Sequence, residues 1–116
     1  MAVTRVVPDL LSAEPALTAA FYDDVLGLQT VMDHGWIVTV ADPRNPGCQI
    51  SFASHDAGAP VVPDVSVEVD DVDAAYAAAT ARGAEIVHPL TTEAWGVRRF
   101  FVRDPDGHVV NVLGHA

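Results

Sequence analysis

The sequence predicts an α+β domain of two tandem β-α-β-β-β units whose mixed sheets curl around a cleft. Two observations carry this. Turn and helix punctuation recurs at a nearly constant offset: Glu14 with Asp71, 57 positions on, Gly27 with Gly83, Asp42-Pro43 with Asp104-Pro105, and Gly47 with Gly107. A period that long holds a whole supersecondary unit and implies a tandem duplication inside one domain. In addition, PDVSVEV (63–69) alternates apolar with polar residues at period two, as a strand with one buried face does.

Each element follows from local signals. TRVVPDLL opens the chain as an apolar run interrupted by Pro8, which suits an edge or irregular strand. Ser12 can cap the helix that follows, Glu14 and Pro15 suit its first turn, and Leu17, Phe21, Val25 and Leu28 recur at helical spacing before Gly27 stops it. LQTVMDHG, WIVTVAD and GCQISFAS are three strands separated by turn signals at His34-Gly35 and DPRNPG.

The second half repeats the order. After PDVSVEV, Asp70 or Asp71 caps a helix carrying Val72, Ala75, Tyr76 and Ala79, and Gly83 closes it. AEIVHPL, RRFFVRD and HVVNVLG follow as strands. The repeats span 4–54 and 61–114 of a single domain, 1–116.

The consistently apolar strand faces should lie under the helix: Val65, Val67 and Val69, then Phe100 and Val102, then Val110 and Val112. The opposite faces carry Asp64, Ser66 and Glu68, then Arg99, Phe101 and Arg103, then Val109, Asn111 and Leu113. That second set is too polar for a packed core and reads as a binding surface.

Bulk properties exclude several functions. Sixteen acidic residues against six basic ones, all Arg, give a net charge of −10, which repels nucleic acid and anionic membranes. No run reaches the roughly 20 apolar residues of a membrane helix, and no signal-peptide pattern opens the chain, so a cytoplasmic protein is expected. Cys48 is alone, which rules out a disulfide framework and reads as a buried thiol. Arg98, Arg99 and Arg103 cluster beside Trp95, the least random charge feature of the chain.

Three stretches, FYDDVLGL (21–28), VEVDDVDAAYAAATARGAEIV (67–87) and WGVRRFFVRDPDGHVVNV (95–112), strongly resemble the vicinal oxygen chelate superfamily of glyoxalases, extradiol dioxygenases, and fosfomycin- and bleomycin-resistance proteins. The resemblance implies the fold but leaves activity to the site, because one scaffold hosts unrelated functions. Metal-using members place His, Gln or Glu on the first and last strands of each unit, which the resemblance maps onto Val7, Ser51, Asp64 and Asn111. Valine cannot coordinate, Ser and Asn are weak neutral donors, and only Asp64 is a good hard ligand. His34, His55, His88, His108 and His115 fall outside these positions and read as surface residues. The expectation is a site without metal or other cofactor, with a divalent ion as the alternative.

What remains resembles the bleomycin-resistance branch, which binds a drug stoichiometrically between two subunits without chemistry. On that likeness the expected partners are a small molecule and a second copy of the chain in a homodimer. Expected ligand contacts are Trp36, Ser51, Asp64, Glu68, Trp95, Arg99, Phe101 and Asn111, with Phe52 a further stacking candidate. Arg99 and Arg103 suit an anionic or carbonyl-bearing ligand, an antibiotic-like natural product or a metabolite. Three alternatives stand beside sequestration: a metal-dependent glyoxalase- or dioxygenase-type lyase or isomerase, acid–base catalysis by Asp64 or Glu68, and a dimeric module without ligand.

Overall fold

The structure is a computed structural model and describes residues 1–115. The chain divides into two compact units: a first formed by residues 7–62, and a second formed by residues 1–6 together with those from Pro63 onward. Strand β1 (Val3–Leu11) contributes its opening residues to the second unit and the rest to the first.

In the first unit, α1 (Pro15–Leu26), β2 (Gln29–Asp33), β3 (Ile37–Asp42) and β4 (Asn45–Ala53) follow β1. The strand order is β2-β3-β4-β1. The β3 and β4 pair is antiparallel, while β1 runs parallel to β4 through Asp9↔Ser51 and Leu10↔Phe52. Pro8 therefore precedes the paired stretch and removes no donor from it. The core is Ala19, Val38, Val40 and Phe52, with Tyr22, Leu28 and Ile50 packed around it.

Four local expectations change here. Glu14, not Ser12, is the N-cap residue of α1, and it makes no side-chain cap; the Ser12 hydroxyl instead bonds that of Thr18 at 2.8 Å. Leu17, Phe21 and Val25 share helical spacing yet are exposed, because α1 turns Pro15, Ala19 and Tyr22 inward. Phe52 is a core residue, with its ring centroid 4.9 Å from that of Tyr22, so it is not a stacking surface. Cys48 is exposed, because the β3 and β4 register shifts between Asp42↔Asn45 and Ala41↔Gln49 and leaves residues 46–48 outside the ladder.

In the second unit, β5 (Val65–Val69), α2 (Val72–Arg82), β6 (Ile86–Thr92), β7 (Val97–Arg103) and β8 (Val109–His115) form a sheet of order β5-β8-β7-β6. Strand β5 is parallel to β8, and the other pairs are antiparallel. The Asp71 carboxylate accepts from the Ala74 N–H and caps α2, and Gly83 ends the helix at φ 77°. Under α2 lie Val67, Val69, Phe100, Val102, Val110 and Val112, the face that alternation assigns to the core, with Tyr76 edge-on to Phe100 at 5.0 Å. The opening residues join this unit through the Asp70 N–H to the Ala2 carbonyl and the Ala2 N–H to the Asp70 carboxylate. Among the described residues no helix is long and apolar enough to cross a membrane.

Candidate functional site

The face of the second sheet away from α2 is where polar groups collect. Parallel register sets Ser66 beside Asn111, and the Asn111 amide donates to the Ser66 hydroxyl at 3.0 Å. Asn111 is 7% exposed, and its carbonyl oxygen Oδ1 is buried with no hydrogen-bond partner among the described residues. A buried acceptor left unsatisfied costs about 1–3 kcal/mol, so its retention calls for a reason.

Phe101 stands opposite Asn111 on β7, and Arg99 lies two residues back on the same face. The Arg99 guanidinium sits 4.9 Å from the Phe101 ring centroid and 5.2 Å from that of Trp95. Such stacking favours Arg over Lys, because a planar guanidinium is weakly hydrated and keeps its edge donors while its faces meet rings.

The β6–β7 hairpin brings in the counter-charge. The Gly96 N–H donates to the Glu93 carbonyl and the Glu93 N–H to that of Val97. Gly96 takes φ 87°, the left-handed residue that such a tight hairpin loop requires. This turn aims the Glu93 carboxylate inward, where Oε1 lies 3.1 Å from His88 Nε2 and 3.7 Å from Arg99 Nε. His88 and Arg99 are 8% and 4% exposed.

His88 is thus a buried, paired residue rather than a surface one. The cause is a register shift on each side of it in β6: Ile86 pairs with Val102, His88 with Phe101 and Thr91 with Arg99. An extra residue in a strand reverses the parity of the side chains that follow. Ile86 and Leu90 pack toward α2, while His88 turns to the Phe101 side with ring centroids 5.3 Å apart. Glu93 has no motif of its own; the Glu-Ala-Trp-Gly hairpin signal was the available clue.

The other expected contacts in this unit are held elsewhere. Asp64 precedes β5, and its carboxylate accepts from the Val109 N–H at 2.8 Å, fastening the strand ends. Glu68 receives Thr4 at 3.0 Å, Arg5 at 3.3 Å and His115 at 3.0 Å. Arg103 bonds Glu85 at 3.0 Å and the Gly107 carbonyl at 2.9 Å. In the first unit Ser51 is buried and bonds Thr39 at 2.7 Å, Asp9 is its buried strand neighbour, and Trp36 lies with its ring centroid 6.0 Å from that of His55. Asp9 was legible only as a polar residue inside an apolar strand.

The four positions that the resemblance maps onto metal ligands carry the following groups. Val7 offers no donor, the Ser51 hydroxyl is bonded to that of Thr39, the Asp64 carboxylate accepts a backbone N–H, and the Asn111 amide nitrogen donates to Ser66 while its oxygen, a neutral donor, stays open among the described residues. Asp104, Asp106 and His108 do place ligand atoms within 4.8 Å of one another. Their closeness follows from the β7–β8 turn, in which the Asp104 carboxylate accepts the Asp106 and His108 N–H groups and the His108 ring.

Residues 5–112 match the family described as the Glyoxalase/Bleomycin resistance protein/Dioxygenase superfamily. The chain belongs to that superfamily. Among solved structures, this glyoxalase-superfamily chain is similar to a glyoxalase/bleomycin resistance protein/dioxygenase superfamily member from Vibrio splendidus 12B01, with 21% identity, TM-score 0.71, and 97% and 99% of the two chains covered. It is similar to a structure described as NAD-dependent benzaldehyde dehydrogenase from Legionella pneumophila, with 18% identity, TM-score 0.76, and 96% and 99% covered. It is also similar to a single-residue variant of Streptomyces coelicolor methylmalonyl-CoA epimerase in complex with 2-nitronate-propionyl-CoA, at 15% identity, TM-score 0.68, and 99% of each chain covered. At these identities the likeness is one of fold. No curated protein sequence matches the chain.

Proposed function

We propose that this glyoxalase-superfamily chain binds an organic small molecule on the face of the second unit away from α2, without a resident metal and without chemistry on the ligand. The observation that carries the reading is the Asn111 carbonyl, a buried acceptor with no partner among the described residues, on the same face as Phe101 and Arg99. A ligand N–H or O–H would satisfy it, and the exposed Trp95 ring supplies contact area of fixed geometry, while Phe101 is fully buried behind it. The guanidinium edge suits a carbonyl or carboxylate, while its charge is already partly offset by Glu93. That argues for a neutral or singly anionic ligand, an antibiotic-like natural product or a metabolite, and against a polycation. A ligand screen by thermal shift tests this: some member of a natural-product panel should stabilise the protein equally with and without a chelator. Near-stoichiometric Zn, Mn, Ni or Fe in protein purified without chelator would sink it.

A second reading rests on the His88 and Glu93 pair. A buried imidazole bonded to a carboxylate is a proton donor and acceptor in place, and it replaces Asp64 and Glu68 as the pair available for acid–base work. Turnover of a carbonyl substrate that is lost in both His88→Gln and Glu93→Gln, but kept in Asp64→Asn, would favour it over sequestration.

A further inference from the structure

Asn111 stands in register with Ser66 on β5 and with Phe101 on β7. Along its own strand the residues on the same face are Val109 and Leu113, which like Phe101 are buried and apolar. Of these four neighbours only Ser66 is polar. The carboxylates that continue the Ser66 face are engaged elsewhere, Asp64 with the Val109 N–H and Glu68 with Thr4, Arg5 and His115.

A carboxamide has a donor end and an acceptor end of nearly the same shape, so its orientation is decided by what each end meets. The Asn111 nitrogen Nδ2 donates to the Ser66 hydroxyl at 3.0 Å, and Oδ1, the other end, is the buried atom with no partner among the described residues. A turned amide would put two N–H donors where that single oxygen now lies. Buried N–H groups are orphaned more rarely than carbonyls, so the turn is disfavoured as long as a hydroxyl holds the nitrogen.

We infer that Ser66 is a positioning residue that sets the selectivity of the ligand site: by fixing the Asn111 amide it makes the site a hydrogen-bond acceptor. The ligands selected are those that present an N–H or O–H, such as an N–H heterocycle, a lactam or a phenol, over isosteres that offer only a lone pair. This rests on the small-molecule reading proposed above and adds the residue that decides which molecules fit. Ser66 acts through Asn111 rather than by touching the ligand. An isostere with oxygen in place of the N–H sets lone pair against lone pair, a repulsive element of the kind that specificity needs. Without the hydroxyl, the amide can turn its N–H groups toward such a ligand.

Indole and benzofuran test the selectivity, because they match in shape and differ in one N–H against one ring oxygen. In titrations followed by NMR, the wild type should bind indole about tenfold more tightly than benzofuran, the weight of one hydrogen bond. Ser66→Ala should narrow that ratio to about twofold or less, and Ser66→Thr, which keeps the hydroxyl on a side chain suited to a strand, should restore it. The amide also reports with no ligand present. Nuclear Overhauser contacts from the Asn111 side-chain N–H groups to the β-position of residue 66 should appear in the wild type and in Ser66→Thr, and should be lost in Ser66→Ala. Contacts that persist in Ser66→Ala, or an indole preference unchanged there, overturn the inference and leave the small-molecule reading standing. A wild type that binds the two probes equally, or binds neither, overturns it as well. The thermal-shift panel decides the small-molecule reading separately, since it does not depend on Ser66.

Discussion

His88 and Glu93 meet at 3.1 Å with both side chains buried, on the face of the second sheet that α2 does not cover. Arg99 Nε lies 3.7 Å from the same carboxylate oxygen, so one Glu faces two nitrogen-bearing side chains.

Removing that carboxylate takes one partner from the buried guanidinium and the hydrogen-bond partner from the buried imidazole. Glu93→Ala should therefore cost about 3 kcal/mol, the usual penalty for breaking a buried pair on one side. Urea unfolding measures it, and a loss under about 1 kcal/mol would mean that the carboxylate contributes little beyond a solvent-exposed pair.

Asn111 separates binding from folding. Its oxygen has no partner among the described residues, so Asn111→Leu removes an unsatisfied acceptor along with one hydrogen bond to Ser66. Unfolding free energy should move by less than about 1 kcal/mol, because the two changes oppose one another. Thermal stabilisation by the bound small molecule should disappear. Retained stabilisation in Asn111→Leu would remove Asn111 from the ligand site.

Phe52 gives the converse case. Fully buried under Tyr22, it should cost about 3–5 kcal/mol when changed to Ala, as large core deletions do. A drop in melting temperature well beyond that of Asn111→Leu is the expected readout, and an unchanged midpoint would return Phe52 to the list of surface aromatics.

The β7–β8 turn should respond to pH. The hydrogen bond that its ring donates to Asp104 raises His108 above its ordinary 6.5, and the Asp104 charge adds to this. Desolvation pushes the Asp104 carboxyl upward, but bonds from the His108 ring and from the His108 and Asp106 N–H groups hold it below its ordinary 3.8. The histidine contribution to stability is complete below 6.5 and fades as pH rises through the raised value; the aspartate contribution is complete above 3.8 and fades as pH falls through the lowered one. The pair is fully formed between these limits. In an NMR titration, His108 should lose its proton at lower pH in Asp104→Asn than in the wild type; coincident curves would show the pairing to be absent in solution.

The chain's own sequence determined the element order, the helix stops at Gly27 and Gly83, and the strand faces that meet α2, because caps and period-two alternation are set within a few residues. It also carried the superfamily, through the same helix and hairpin landmarks. Only the tertiary structure decided which residues share the polar face. His88 reaches it because β6 shifts register, and Glu93 because a four-residue turn folds back. Phe52 leaves the candidate site because its strand neighbour Ser51 points away from α1 toward Thr39. Helix α1 is apolar on both sides, so periodicity could not say that Ala19 and Tyr22 would be buried and Phe21 left open. Each of these depends on what lies across from a residue, which spacing along the chain does not encode.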